Sequence, residues 1–166
     1  MLIPFDHPLS GVNGVNNAIL IEGDPVGKVM FYGPGAGSGP TASAVVADIL
    51  NIAGVRQLGN GTRCLDPLLA AGPWRPCHLV DSNSITQKNY VRLLTKDTPG
   101  VIGCVGSCFG KYGVSIQSIV QFESSELGAE IVVITHEVTQ GQMKNSLQEI
   151  KSLQEVVEVV EHLGCL

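Results

Sequence analysis

The chain has 166 residues, of which 44% are hydrophobic and only 15% charged, so it is too apolar for a disordered segment and long enough to bury a core. Ten Lys and Arg against fifteen Asp and Glu leave a net charge of −5 with no basic run, which argues against a phosphate-backbone partner. No apolar stretch reaches the ~18–20 residues of a membrane span, and residues 1–30 lack the basic start and compact apolar run of a secretory signal. The expectation is a cytoplasmic protein with neither a nucleic-acid nor a membrane partner.

Composition divides the chain into three zones: residues 1–54, apolar and glycine-rich; a linker at 55–88 with three prolines and no sustained periodicity; and residues 89–166, with five basic and nine acidic residues and clear alternation. In the first zone, Asn17 to Glu22 and Lys28 to Tyr32 are β-rich runs. The turn residues Gly23-Asp24-Pro25 separate them, which predicts a hairpin. Four of the 20 glycines then fall between Gly33 and Gly39. Thr41 to Ala53 follows with Val45, Ile49 and Ile52 at helical spacing, and Gly54 is the expected stop. A glycine loop between a strand and a helix N-terminus is where backbone amides can receive an anion. Its spacing is neither G-x-G-x-x-G nor a Walker loop, so a tight turn explains it as well as a phosphate cradle does.

The third zone reads as strand (Tyr90 to Lys96), turn (Asp97 to Gly100), helix (Val101 to Tyr112), strand (Val114 to Glu123), strand (Ala129 to His136), helix (about 140–152) and strand (Glu155 to Leu163). The helix stripe is Val101, Ile102, Val105, Cys108, Phe109 and Tyr112, and the second strand is expected to turn Val114, Ile116, Val120 and Phe122 to one face. The predicted core contains Val101, Val105, Phe109, Ile116, Val133, Leu147 and Ile150. The order β-α-β-β-α-β is the ferredoxin-like pattern, so the expected class is α+β: this module preceded by a hairpin and helix.

The turn from Lys96 to Ile102 is the most informative segment. Asp97 is placed either to cap the helix or to hold an ammonium group, and the first amides of the helix are placed to hold a carboxylate. An ordinary N-cap without a ligand accounts for the same residues. The five cysteines (Cys64, Cys77, Cys104, Cys108, Cys165) form no C-x-x-C pair, and the expectation for them is buried apolar thiols with no metal. The four histidines are scattered, and no catalytic motif surrounds them.

Two segments resemble known families. Leu2 to Asp24, Gly27 to Gly37 and Pro40 to Asp48 resemble the end of the catalytic region of homoserine dehydrogenase. Residues 89–166 resemble an ACT domain through Asp97-x-Pro99-Gly100-Val101 and Tyr112-Gly113-Val114-Ser115-Ile116. The resemblance implies a regulatory C-terminal portion of an enzyme that interconverts homoserine and aspartate semialdehyde with NAD(P), in threonine and methionine biosynthesis. It places the family's Rossmann unit and catalytic residues outside these 166 residues, so no catalytic residue is assigned and the chain alone is expected to be inactive and to hold no cofactor. Within a full enzyme, Gly33, Gly35, Ala36 and Gly37 would face the cofactor. The ACT resemblance implies a homodimer that binds an amino-acid effector, threonine above all. Thr95, Asp97, Gly100, Val101 and Ile102 would touch it from the turn, and Ser115, Ile116 and Gln117 from a partner's second strand. The alternative is a stand-alone ACT binding or dimerisation module, or a remnant without activity.

Overall fold

The computed structural model describes residues 1–58, 77–122 and 128–166. They fall into two compact units, Phe5–His78 and Met1–Pro4 with Leu79–Leu166.

In the unit Phe5–His78, β1 (Asn16–Gly23) and β2 (Gly27–Pro34) form the expected antiparallel hairpin, with Ala18 opposite Tyr32 and Ile21 opposite Val29. Helix α1 spans Ser38–Leu58, longer than expected at both ends. Pro40 lies in its first turn, where the missing N–H has no intrahelical partner to lose. The expected stop at Gly54 does not occur, because an internal glycine costs a helix only ~1 kcal/mol. Many large apolar side chains of this unit are exposed, among them Ile19, Phe31, Val45, Ile49 and Leu50.

The second unit is the β-α-β-β-α-β module. Its sheet has the order β4-β5-β3-β7, built from β3 (Thr86–Thr95), β4 (Ile116–Gln121), β5 (Ala129–Thr135) and β7 (Val156–Cys165). All neighbours are antiparallel, and the two-residue β6 (Val138–Thr139) pairs with the start of β3. Helices α2 (Val101–Lys111) and α3 (Gln140–Ile150) supply the other half of the core. Alternate residues of β3 and β5 are buried, and Val91, Leu93, Ile131 and Val133 meet Val105, Phe109, Met143, Leu147 and Ile150. Every predicted core residue belongs to this cluster, Ile116 as a partly buried member. Helix α3 opens on a capping box: Thr139 Oγ1 accepts from the Gln142 N–H, and the Thr139 N–H donates to Gln142 Oε1. Gln142 Nε2 also donates to the Tyr112 carbonyl at 3.1 Å, which ties the start of α3 to the end of α2.

Several expectations need correction. Within the expected linker, α1 runs to Leu58, Ser82–Ser84 is a 3-10 turn and β3 begins at Thr86. Residues 59–76 of the expected linker, with Cys64 and Trp74, lie outside the described residues. In β4 the pairing register shifts between Ile116 and Ser118. This bulge turns Ile119 toward the helices and leaves Val120 49% exposed and Phe122 54% exposed, so the expected single face breaks after Ile116. Ile102 leaves the predicted helix stripe and is exposed. Of the described cysteines only Cys108 is buried; Cys77 and Cys104 are exposed and Cys165 is intermediate.

Candidate functional site

The connection from β3 to α2 makes a tight turn. The Lys96 N–H donates to the Glu155 carbonyl at 2.8 Å, and the Thr98 N–H donates back to Lys96 at 3.0 Å. Gly100 enters the helix at φ +92°, a left-handed conformation that favours glycine, and no atom lies within 4 Å of where its Cβ would be. The helix therefore starts at a backbone open to its surroundings. The amides of Ile102 and Gly103 have no backbone acceptor among the described residues, while that of Cys104 already reaches Gly100.

Asp97 does not cap α2, which has no side-chain cap. Its Oδ1 instead accepts from Gln121 Nε2 at 3.4 Å, across the end of β4. Together the turn, the helix start and Gln121 enclose an open cleft of about 350 Å³. Its lining includes the Asp97 carboxylate, the Ile102 backbone at the start of the helix and the exposed Ile102 side chain. Such a set is chemically suited to an amino-acid zwitterion: an ammonium group for Asp97, a carboxylate for the helix start and an apolar group against Ile102.

The structure brings Thr95, Asp97, Gly100, Val101 and Ile102 together in this cleft. Thr95 borders the cleft but is fully buried, and its hydroxyl donates to the Ala129 carbonyl at 3.1 Å. Ser115, Ile116 and Gln117 lie at the far end of β4, about 17 Å along the strand from Gln121 at ~3.4 Å per residue, and do not reach the cleft within one chain. Gln121 is the lining residue that sequence reading missed; nothing in the sequence pairs it with a turn 24 residues earlier.

The glycine loop is a different case. A Cβ on Gly35 would run into the Asn17 side chain, and the Gly35 N–H donates to the Val15 carbonyl at 2.7 Å, so that glycine answers to its own hairpin. Gly37 has φ +123° at the entry to α1. A shallow concavity nearby is lined by Asn17, Phe31, Tyr32, Gly33 and Gly35 and holds no charged side chain. Lys28, at the other end of β2, pairs with Glu22. Of the four residues expected at the cofactor, Gly33 and Gly35 line this concavity, and Ala36 and Gly37 do not. Among the described residues there is no His, Cys, Asp and Glu cluster that could hold a metal, and no helix long and apolar enough to cross a membrane.

Comparison with known proteins matches two separate segments of the chain. Residues 1–50 match the family model for homoserine dehydrogenase, and residues 89–155 match that for the ACT domain. A homoserine dehydrogenase of Synechocystis sp. is 48% identical over 158 residues, covering 95% of this chain and 36% of that protein. One from Bacillus subtilis is 34% identical over 160 residues, with 95% and 36% covered. The crystal structure of a homoserine dehydrogenase from Thiobacillus denitrificans superposes with a TM-score of 0.76 at 27% identity, covering 99% of this chain and 37% of that one. The chain spans about a third of the length of the curated relatives it matches. It resembles the C-terminal portion of homoserine dehydrogenase: a stretch of the catalytic region followed by an ACT domain of ferredoxin-like fold.

Proposed function

We propose that the chain acts as the regulatory C-terminal portion of a homoserine dehydrogenase, in which the ACT domain senses an amino acid, threonine by preference, at the cleft between β3 and α2. The observation that carries this reading is the cleft itself: Asp97, bonded to Gln121, lines it together with the uncapped start of α2 and the open backbone at Gly100. The parent reaction in this reading is the NAD(P)-dependent interconversion of homoserine and aspartate semialdehyde. The first unit supports membership of a larger catalytic region, because the apolar side chains of α1 and the hairpin are exposed in quantity and would be covered by further sheet and helix.

The sensing form is a homodimer. Strand β4 lies at the edge of the sheet. Two β4 edges paired antiparallel about a two-fold axis would bring the partner's Ser115, Ile116 and Gln117 toward this chain's Gln121, the end where the cleft lies. That pairing accounts for why the two groups of expected contact residues stand apart in one chain. The test is a thermal-shift panel of amino acids on the purified chain, with oligomeric state followed by sedimentation. Threonine is expected to raise the melting temperature of a dimer more than other amino acids do. A monomer with no response to any amino acid contradicts the reading and leaves the module as a structural remnant.

A further inference from the structure

We propose that the cleft bounded by α3, the start of β3 and the end of β7 is a second ligand site, for a small organic anion bearing two acidic groups. It has a volume of about 550 Å³. It touches β3 at Gln87 and Asn89, whereas the effector cleft touches β3 at Thr95, some six residues or ~20 Å along the strand. The two sites are therefore at opposite ends of the sheet, and this inference stands or falls independently of the effector reading.

The floor breaks the pattern of the core. Asn89 and His162 occupy the helix-facing side of their strands, the side on which Val91, Leu93 and Val159 join the apolar cluster. Asn89 is 1% exposed, and a buried amide is costly unless its bonds are made. They are: its backbone N–H donates to Thr135 Oγ1 at 3.0 Å, its Nδ2 donates to the Gln87 carbonyl at 3.1 Å, and its Oδ1 lies 2.9 Å from His162 Nε2. With Nδ2 engaged at Gln87, Oδ1 is the acceptor, so Nε2 carries the proton and the imidazole is held in one orientation. Burial lowers the His162 pKa, partly offset by Glu161, and Lys151 lowers it further. The ring is thus a neutral, fixed polar group at neutral pH, at a place where a hydrophobic residue would pack more cheaply.

The rim is positive. Lys144 and Lys151 line the cleft from the α3 side, seven residues and about 10 Å apart along the chain's helical rise, and no Asp or Glu lines it. Neither lysine belongs to an ion pair among the described residues, where Lys28, Arg92 and Lys111 each have a carboxylate. In a chain of net charge −5 this is a local concentration of unmatched positive charge over an amide and imidazole floor, with Met143 and Leu147 as an apolar wall. Two separated ammonium groups select a ligand with two acidic ends, and the apolar wall suits a short carbon chain between them.

The experiment is an NMR titration of the whole chain with adipate, following the Asn89 and Gln87 side-chain amides and the His162 ring, with adipamide and acetate as neutral and singly charged controls. Adipate is expected to give saturable shifts at these groups in the millimolar range, adipamide none, and acetate weaker binding. Both lysines are exposed, so Lys144→Gln with Lys151→Gln is expected to keep the wild-type melting temperature while weakening adipate about ten-fold or more for each charged bond lost. Absence of saturable shifts, equal binding of adipamide, or an unchanged affinity in the folded double variant would overturn the site. Acetate binding as tightly as adipate would overturn its assignment to a two-acid ligand.

Discussion

Gln121 Nε2 donates to Asp97 Oδ1 across 3.4 Å, which joins the last residue of the edge strand β4 to the turn that opens α2. Both side chains are exposed, so the bond itself adds little stability. Its effect is orientational: it fixes one oxygen of a carboxylate that lines the cleft. Gln121→Ala is therefore expected to leave the stability of the free chain within about 0.5 kcal/mol of wild type while lowering threonine affinity several-fold. Fluorescence-monitored melting with and without threonine checks both halves of that expectation.

The core predicts a graded response. Val105 has no exposed surface, and Val105→Asp places an unpaired charge among Phe109, Ile131 and Met143. A cost above about 3 kcal/mol is expected, enough to unfold the module in a circular-dichroism melt. Ile116 is only partly buried at the start of β4, and Ile116→Asp is expected to cost about 1–3 kcal/mol, since the carboxylate can reach water. Equal melting of both variants would contradict the placement of the bulge beside Ile116.

Much of this architecture was legible in the sequence, for physical reasons that can be named. Val101, Val105 and Phe109 repeat at helical spacing, and β3 and β5 are β-rich runs bounded by turn residues, so element type and order follow from periodicity. The face of Val120 was not legible, because one extra residue in a bulge reverses the alternation without any compositional mark. Neither was Gln121, nor the pairing of Asn89 with His162 across 73 residues, since both depend on which strands become neighbours. The turn from Asp97 to Gly100 stands out because Pro and Gly constrain the backbone locally; of the two roles its carboxylate suggests, helix cap or ammonium partner, the cap is not formed, and the carboxylate bonds to β4. The cleft over Asn89 had no signal beyond two polar residues on otherwise apolar faces.

A pH dependence follows from the contact between α2 and α3. Glu149 Oε2 accepts from both Lys111 Nζ and Tyr112 Oη at 2.6 Å. The bond from Lys111, then that from Tyr112, holds the Glu149 carboxyl below its ordinary value. A carboxylate whose pKa is lowered by folding stabilises the fold above the ordinary range of about 4.3, and that contribution is lost as pH falls through the folded value. The melting-temperature gap between wild type and Glu149→Gln is therefore expected to be widest near neutrality and to close in acid. A gap that stays constant down to the acid limb would contradict this account.

The proposed dimer can be tested without disturbing the core. Ser118 is exposed on β4, and a two-fold pairing of edge strands brings it close to its counterpart. Ser118→Lys then places like charges side by side, an arrangement worth up to about 1 kcal/mol at each cross-strand pair. Sedimentation is expected to show a weakened dimer with the monomer fold intact by circular dichroism, and the loss is expected to be partly restored by salt. An unchanged association constant would move the interface away from β4.

The central claim is that the cleft held by Asp97 receives a free amino acid, and titration calorimetry of threonine into the whole chain tests it most directly. The account predicts saturable binding at one site per chain, and its loss in Asp97→Ala with the melting temperature of the free chain preserved. Absence of binding by the wild-type chain, or undiminished binding by Asp97→Ala, would contradict it.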